Sequence, residues 1–311
     1  MDIQLHLGAH RTANTSFLHY LSENNDSLRQ SGLAVWGPKQ TRDGLLTGVI
    51  PVEGRRTPAE QLERAKSRIA LNLAEAEASG AHTVLVTDEN MIGATRRNLR
   101  DERLYAAIGE RMARFFEAFD GRISSVSLSI RSQDTYWASS LAFAVARGHR
   151  LPSARVLRHL SRSTRTWRDV ITDLACALPG ISINVLPFET FAGVPEARLK
   201  AVTGLTEVPR RASREWLNRS PELRVLRKLI NDRGGDSSFL PNGTGRWHPF
   251  NTEQVSALRE AYADDFFWLR AGAEGLATLT EKTWPETKRF EPQEAKMTRG
   301  RHHGKEHRRL A

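Results

Sequence analysis

The chain has 311 residues, with 46 Lys or Arg against 36 Asp or Glu, a formal net charge of +10. Its 39% hydrophobic and 26% charged content is that of an ordinary globular protein, enough for one large α/β domain or two small ones. The single cysteine, Cys176, excludes an intramolecular disulfide, and no apolar run approaches the roughly 20 residues of a membrane helix. The chain enters a strand at once, with no basic then apolar leader, so a reducing cytoplasm is the expected location.

Taken in chain order, Leu5–Leu21 (LHLGAHRTANTSFLHYL) runs from a short apolar strand through a Gly/Ala/Thr/Asn turn into a helix. Phe17, Tyr20, Leu21 and Leu28 carry that helix to about Arg29, and Gly32 ends it. Leu33–Trp36 reads as a second strand. Residues 39–56 read as a loop, long enough for a lid or an acceptor-facing segment. Thr57-Pro58-Ala59-Glu60 is a capping box with proline at the first helical position. Leu62, Ala65, Ile69, Leu73 and Ala76 continue that helix to Gly80.

Thr83–Thr87 (TVLVT) is a buried strand, followed by Asp88-Glu89-Asn90. A helix is expected from Asp101, carrying Leu104, Tyr105, Ile108, Met112 and Phe115 as far as Gly121. Ser124–Ile130 is a strand with Val126, Leu128 and Ile130 on one face. It runs into Arg131 and a helix to about Arg147. Residues 149–163 read as basic and irregular. A helix from about Thr164 to Leu178 holds Cys176 as a core residue, and Ile181–Phe188 is a further strand. Beyond about 205 strands stop, and Arg-rich segments, a glycine-rich loop through Trp247 and a helix from about Thr252 take over.

Strands alternating with helices imply right-handed βαβ units: a three-layer α/β fold with P-loop topology, a parallel sheet of about five strands and a helical C-terminal extension packed on it. Residues 1–280 form this domain, and 281–311 a basic, disordered tail. In such sheets ligands sit beyond the carboxyl ends of the strands. Arg11, Glu89 and Arg131 all fall there.

The turn after the first strand has the outline of a phosphate loop, whose backbone N–H groups and following helix make an anion site. On the G-x-x-x-x-G-K-[ST] spacing of nucleotide hydrolases, Gly8 is followed by Ala13 for the second glycine, Asn14 for the lysine and Thr15 for the hydroxyl. The lysine is missing and the cation stands three residues earlier, at Arg11. Ala13 would carry a backbone cost if the loop demands φ > 0 there.

The loop G-A-H-R-T-A-N-T-S resembles the 5′-phosphosulfate loop of the PAPS-dependent sulfotransferases (PAPS is 3′-phosphoadenylyl sulfate), in which a Lys or Arg precedes a [ST]-G-T-T run. Ser129–Ser140 (SIRSQDTYWASS) resembles the same family's 3′-phosphate anchor. Leu186-Pro187-Phe188-Glu189, Asn218-Arg219-Ser220 and the loop Gly243–Trp247 are more loosely similar.

The resemblance implies a sulfotransferase that moves a sulfuryl group from PAPS to a hydroxyl or amine acceptor, such as a carbohydrate or lipid, without a metal. It implies that Arg11, Thr12, Ala13, Asn14, Thr15 and Ser16 hold the donor's 5′ end, that Arg131 and Ser139 hold its 3′-phosphate, and that Arg246 helps. Arg11 would be the cation beside the leaving oxygen. Family members use a histidine or a glutamate as base, which makes Glu89 the candidate, with Asp88 and His10 as rivals.

Two other readings stand beside this one. VLVTDE resembles a Walker B strand, pointing to a P-loop kinase or ATPase, which the absent lysine opposes. A non-catalytic nucleotide-binding protein on the same fold is the other. Nucleic acid is not expected as a partner, because only the net charge suggests it.

Overall fold

Seven residues, Asp2–Gly8, make β1, and the sheet is ordered around it. Its neighbours are β3 (Thr83–Thr87) on one side and β4 (Ile123–Ile130) on the other. The sheet continues outward to β2 (Leu33–Trp36) beyond β3, and to β5 (Ser182–Pro187) and β6 (Thr278–Leu279) beyond β4. All five pairings are parallel, giving the order β2-β3-β1-β4-β5-β6. The strand number is therefore six where the sequence suggests five. At two residues β6 is too short to show alternation, so strands do not stop at 205. The computed structural model describes residues 1–281; the basic tail expected at 281–311 lies, from 282 on, outside the described residues.

The helices follow in chain order. α1 (Asn14–Glu23) and α2 (Asn25–Gln30) are two helices where one was expected, broken at Asn24. α3 (Pro38–Gln40) and a π-turn over Thr41–Leu45 occupy the start of the expected loop. α4 (Pro58–Ala78) begins at the Thr57 capping box and buries Leu62, Ala65, Ile69 and Leu73. α5 (Thr95–Asp101) ends where a helix was expected to start, and α6 (Ile108–Ala118) begins seven residues after α5 ends. Glu102 and Tyr105, at φ 50 and 38, break the path between them. The supposedly irregular 149–163 contains α8 (Ala154–Ser161), after α7 (Gln133–Ala146). α9 (Trp167–Ala177), α10 (Phe188–Phe191), α11 (Pro195–Thr203), α12 (Leu223–Asn231) and α13 (Thr252–Arg270) complete the described chain. Cys176 lies on the exposed side of α9, not in the core.

Alternation along the central strands sorts residues between two layers. Ile3, Leu5, Leu7, Val126, Leu128 and Ile130 face one layer, with α4, α6, α7, α9 and α13. The smaller apolar cluster on the other side gathers Phe17, Tyr20, Leu21, Leu85, Leu186 and Leu199. There β1 and β4 also present His6, Ser127 and Ser129, all buried. A buried polar face must be hydrogen-bonded by something. α11 packs over β1 on that side and brings an arginine to it.

Candidate functional site

β1 runs out at Gly8, and the Ala9 N–H is taken by Ser129 O of β4 at 3.1 Å. The chain then turns sharply. Arg11 (φ 67) and Ala13 (φ 61) are both left-handed, so the position the nucleotide-loop pattern gives to glycine does demand φ > 0 here. Gly8 is required for space: a Cβ there would lie 2.0 Å from Asn14 Oδ1. α1 starts with no side-chain cap and no acidic residue in its first turn. The N–H groups of Asn14, Thr15 and Ser16 have no protein acceptor among the described residues. Asn14 and Thr15, at the positive helix end, line an open cleft.

The structure brings most of the expected residues to this cleft: Arg11, Ala13, Asn14 and Thr15 from the loop, Glu89 after β3, Arg131 after β4, Ser139 on α7, and Arg246. It does not bring Thr12 and Ser16. The Thr12 hydroxyl is buried and donates to Ala9 O at 2.6 Å, bracing the loop from within. Ser16 Oγ accepts from the Leu217 N–H at 2.8 Å. Asn14 borders the cleft, but its amide is spent on the fold. Nδ2 donates to Gly8 O, Ala9 O and Glu89 Oε2 at 3.0, 2.9 and 3.0 Å.

The two anchor segments, 120 residues apart in sequence, meet directly. Arg131 Nη1 donates to Arg11 O at 2.8 Å, and Arg11 Nε donates to Ser139 Oγ at 2.9 Å. Arg11 is therefore turned toward the second anchor, making one site of the two. Its Nη2 also reaches Asn218 O and Ser220 Oγ, at 3.1 and 3.2 Å. Residues 216–220 thus strap across the loop, helped by Asn218 Nδ2 donating to Thr15 Oγ1 at 3.2 Å.

The cleft is overloaded with positive charge. Burial first, then Arg147 and Arg246, push the Arg11 guanidinium down to about 10, with Glu89 pulling the other way. Burial brings Arg131 to about 10 as well, with Arg11 and Arg246 adding to the effect and Glu189 opposing it. Both remain charged at neutral pH. None of Arg11, Arg131 and Arg246 has a carboxylate within 4.0 Å among the described residues. An anion placed among them relieves the repulsion and gains charge-assisted hydrogen bonds.

The neighbouring carboxylates, Asp88 and Glu89, have opposite fates. Asp88 is held by Arg42 (2.6 and 2.9 Å), by the Thr41 hydroxyl (2.7 Å) and by the Asn90 N–H (2.9 Å). Burial pushes its carboxyl up, but these bonds outweigh that and hold it below the usual carboxylate range. It is a structural residue that pins the 39–56 segment, and has no free face to act as base. Glu89 keeps one oxygen for the cleft: Oε2 takes the Asn14 bond, and Oε1 has only Arg42 at 3.9 Å.

His10 is locked as well. Its ring Nδ1 lies 2.9 Å from Tyr105 Oη, which also accepts the His10 N–H at 2.8 Å. Tyr105 Oη must then donate to Nδ1, leaving the Nε2–H for Asn90 Oδ1 at 3.2 Å. Tyr136 supports Tyr105, and Asn98 supports Tyr136. Burial holds the His10 ring below its ordinary range, so it is neutral with both nitrogens used. Of the three candidate bases, only Glu89 presents a free acceptor atom to the cleft.

Sequence reasoning missed the aromatic rings of the cleft. Phe143 lies under Arg11 and Arg147, at 4.8 and 3.4 Å. Phe188 lies under Arg131 at 4.2 Å, and Trp216 under Arg219 at 5.0 Å. These rings hold the guanidinium planes by cation–π contact and offer apolar walls. Phe188 stands in a motif already singled out; nothing in the pattern around Trp216 marks it. Arg198, which lies behind the loop, was missed because it sits in an unremarkable helical stretch. Compared with protein-family models, with curated proteins and with solved structures, the chain matches none.

Proposed function

We propose that the chain is a sulfotransferase using PAPS as donor and a hydroxyl or amine as acceptor. The observation that carries this reading is the meeting of the loop after β1 with the Arg131–Ser139 segment, in a cleft lined by Arg11, Arg131, Arg219 and Arg246, none with a carboxylate within 4.0 Å among the described residues, and by the half-free carboxylate of Glu89. A donor with phosphate groups at both ends of a nucleoside needs two such anchors, and Phe143, Phe188 and Trp216 give the cleft an aromatic wall against which a base can lie.

In the reaction, Glu89 accepts the proton of the acceptor O–H or N–H as that atom forms a bond to sulfur. The bond between sulfur and the 5′-phosphate oxygen breaks in line, and its electron pair stays on the phosphate. The N–H groups at the start of α1 and the Arg11 guanidinium stabilise that developing charge. Arg11 would exchange its bond to Asn218 O for one to the phosphate.

Calorimetric titration with 3′-phosphoadenosine 5′-phosphate, with ATP plus magnesium in parallel, tests this. Binding of the first alone is expected. Binding of ATP only with magnesium would favour a kinase or ATPase, and binding of neither would end the donor assignment. Product binding without turnover on any acceptor would favour a binding protein.

A further inference from the structure

Arg198 lies behind the loop, on α11, and is 2% exposed. It sits over the polar face of β1 and β4, where small serines leave it room. Nη1 donates to Thr12 O at 3.0 Å, and Nη2 to Asn14 Oδ1 and Ser129 Oγ at 2.8 and 2.7 Å. Its guanidinium covers the Phe17 ring at 4.8 Å. No carboxylate lies within 4.0 Å of it among the described residues. A cation buried without a counter-ion is unfavourable, and an apolar side chain of similar length would fill the space without that penalty. Burial brings it down to about 9, and the charge that favours its ionised form is Glu89.

The link to Glu89 runs through one amide. Asn14 Oδ1 accepts from Arg198 while Asn14 Nδ2 donates to Glu89 Oε2. A positive charge on the oxygen end polarises the amide and strengthens its N–H donors. It also fixes which way round the amide lies. We propose that Arg198 is a positioning residue, a loop cation supplied from behind, which orients Asn14 and through it holds the Glu89 carboxylate in place, aimed into the cleft. This rests on the reading of Glu89 as the base of a group transfer.

Glu89 also faces Arg42 on the π-turn, Arg11 and His10 in the loop, Tyr105 before α6 and its neighbour Asp88. A test must therefore isolate the Arg198 contribution. The Glu89 carboxyl is followed by carbon-13 NMR against pH in the ligand-free protein, its signal assigned by its loss in Glu89→Gln.

Arg198→Met is expected to raise the Glu89 midpoint, as loss of a nearby opposite charge does. Arg198→Lys should restore most of the difference. Asn14→Ala should shift the midpoint the same way, and adding Arg198→Met to it should move it less than in the wild-type background. Folded variants with a lower melting temperature but an unmoved Glu89 midpoint would overturn the proposal. If Arg198→Met does not fold, an unmoved midpoint in Asn14→Ala does so alone. Binding of 3′-phosphoadenosine 5′-phosphate is measured separately on the wild-type protein. Its failure, with the Glu89 shifts intact, removes the donor and leaves the positioning role standing.

Discussion

The loop after β1 uses arginine in opposite ways on its two sides. Beneath it, Arg198 is fully buried and bonded to neutral oxygens, Thr12 O, Asn14 Oδ1 and Ser129 Oγ. Above it, Arg11, Arg131 and Arg246 share a cleft, repel one another and have no carboxylate partner among the described residues. The charge behind the loop shapes it, and the charges lining the cleft, although Arg11 and Arg131 also donate within the fold, meet no counter-ion there. The difference shows why positive charge alone is a poor guide to a binding site: what matters is whether the charge borders a cleft that an anion can enter.

The largest expected effect lies between the two sides. Glu89→Gln should lower turnover by about 10²–10⁴-fold, the usual share of general-base catalysis, with donor-product affinity changed by no more than a few-fold. Turnover and calorimetry on one preparation check this, and a parallel loss of both would mean that Glu89 supports binding instead.

On the upper side, Arg131→Ala should weaken 3′-phosphoadenosine 5′-phosphate binding by about 10- to 100-fold, the loss of charge-assisted hydrogen bonds. An affinity equal to that of the wild type would take the second anchor out of the site. Anion binding should also raise the melting temperature, as it relieves the Arg11–Arg131 repulsion.

Asp88→Asn probes a buried pair of ordinary kind. Its cost should be about 2 kcal/mol, below the value for a fully buried pair because Arg42 is 46% exposed. The folded-state carboxyl is held low, so its stabilisation is complete above the ordinary carboxylate range and is lost as pH falls through the depressed value. Thermal melts from pH 7 down to pH 3 should show the wild type losing its advantage over Asp88→Asn; a gap that stays constant would refute the assignment.

The smallest effect is the gentlest test of loop strain. Ala13→Gly removes the penalty of a left-handed alanine at φ 61, so the melting temperature should rise by roughly 1–3 °C, for about 0.5–1 kcal/mol. A fall would mean that the added freedom of the unfolded chain outweighs the relieved strain.

Much of the sheet was legible because β1, β3, β4 and β5 are buried and their apolar or alternating runs are long enough to read. β6 was not, since two residues carry no period. The helix expected from Asp101 carries Ile108, Met112 and Phe115 as α6, but its late start has an instructive reason. Its apolar spacing continues through Tyr105, yet Tyr105 adopts φ 38 and its hydroxyl serves His10. A long-range hydrogen bond outweighed a local pattern, and no local pattern could announce it. In the site, residues at strand ends were legible because topology alone puts them there. Thr12, Ser16 and Asn14 looked like ligand-facing groups by type, but the Thr12 hydroxyl turns back to Ala9 O, Ser16 serves Leu217 about 200 residues away, and Asn14 is held by Arg198. Cys176 was misplaced because an apolar neighbourhood in sequence does not say which side of α9 it occupies.

The strap over residues 216–220 has a consequence for how the protein is made. The loop written at residues 8–16 takes bonds from Leu217 to Ser16, from Asn218 to Thr15, and from Arg11 to Asn218 and Ser220. On the ribosome, β1 and α1 emerge first, but the mouth of the cleft cannot close until nearly two hundred further residues have been synthesised. A nascent chain stopped before Ser220 would therefore display an open, cationic loop, and a chaperone or a stray polyanion would meet it before its own strap does.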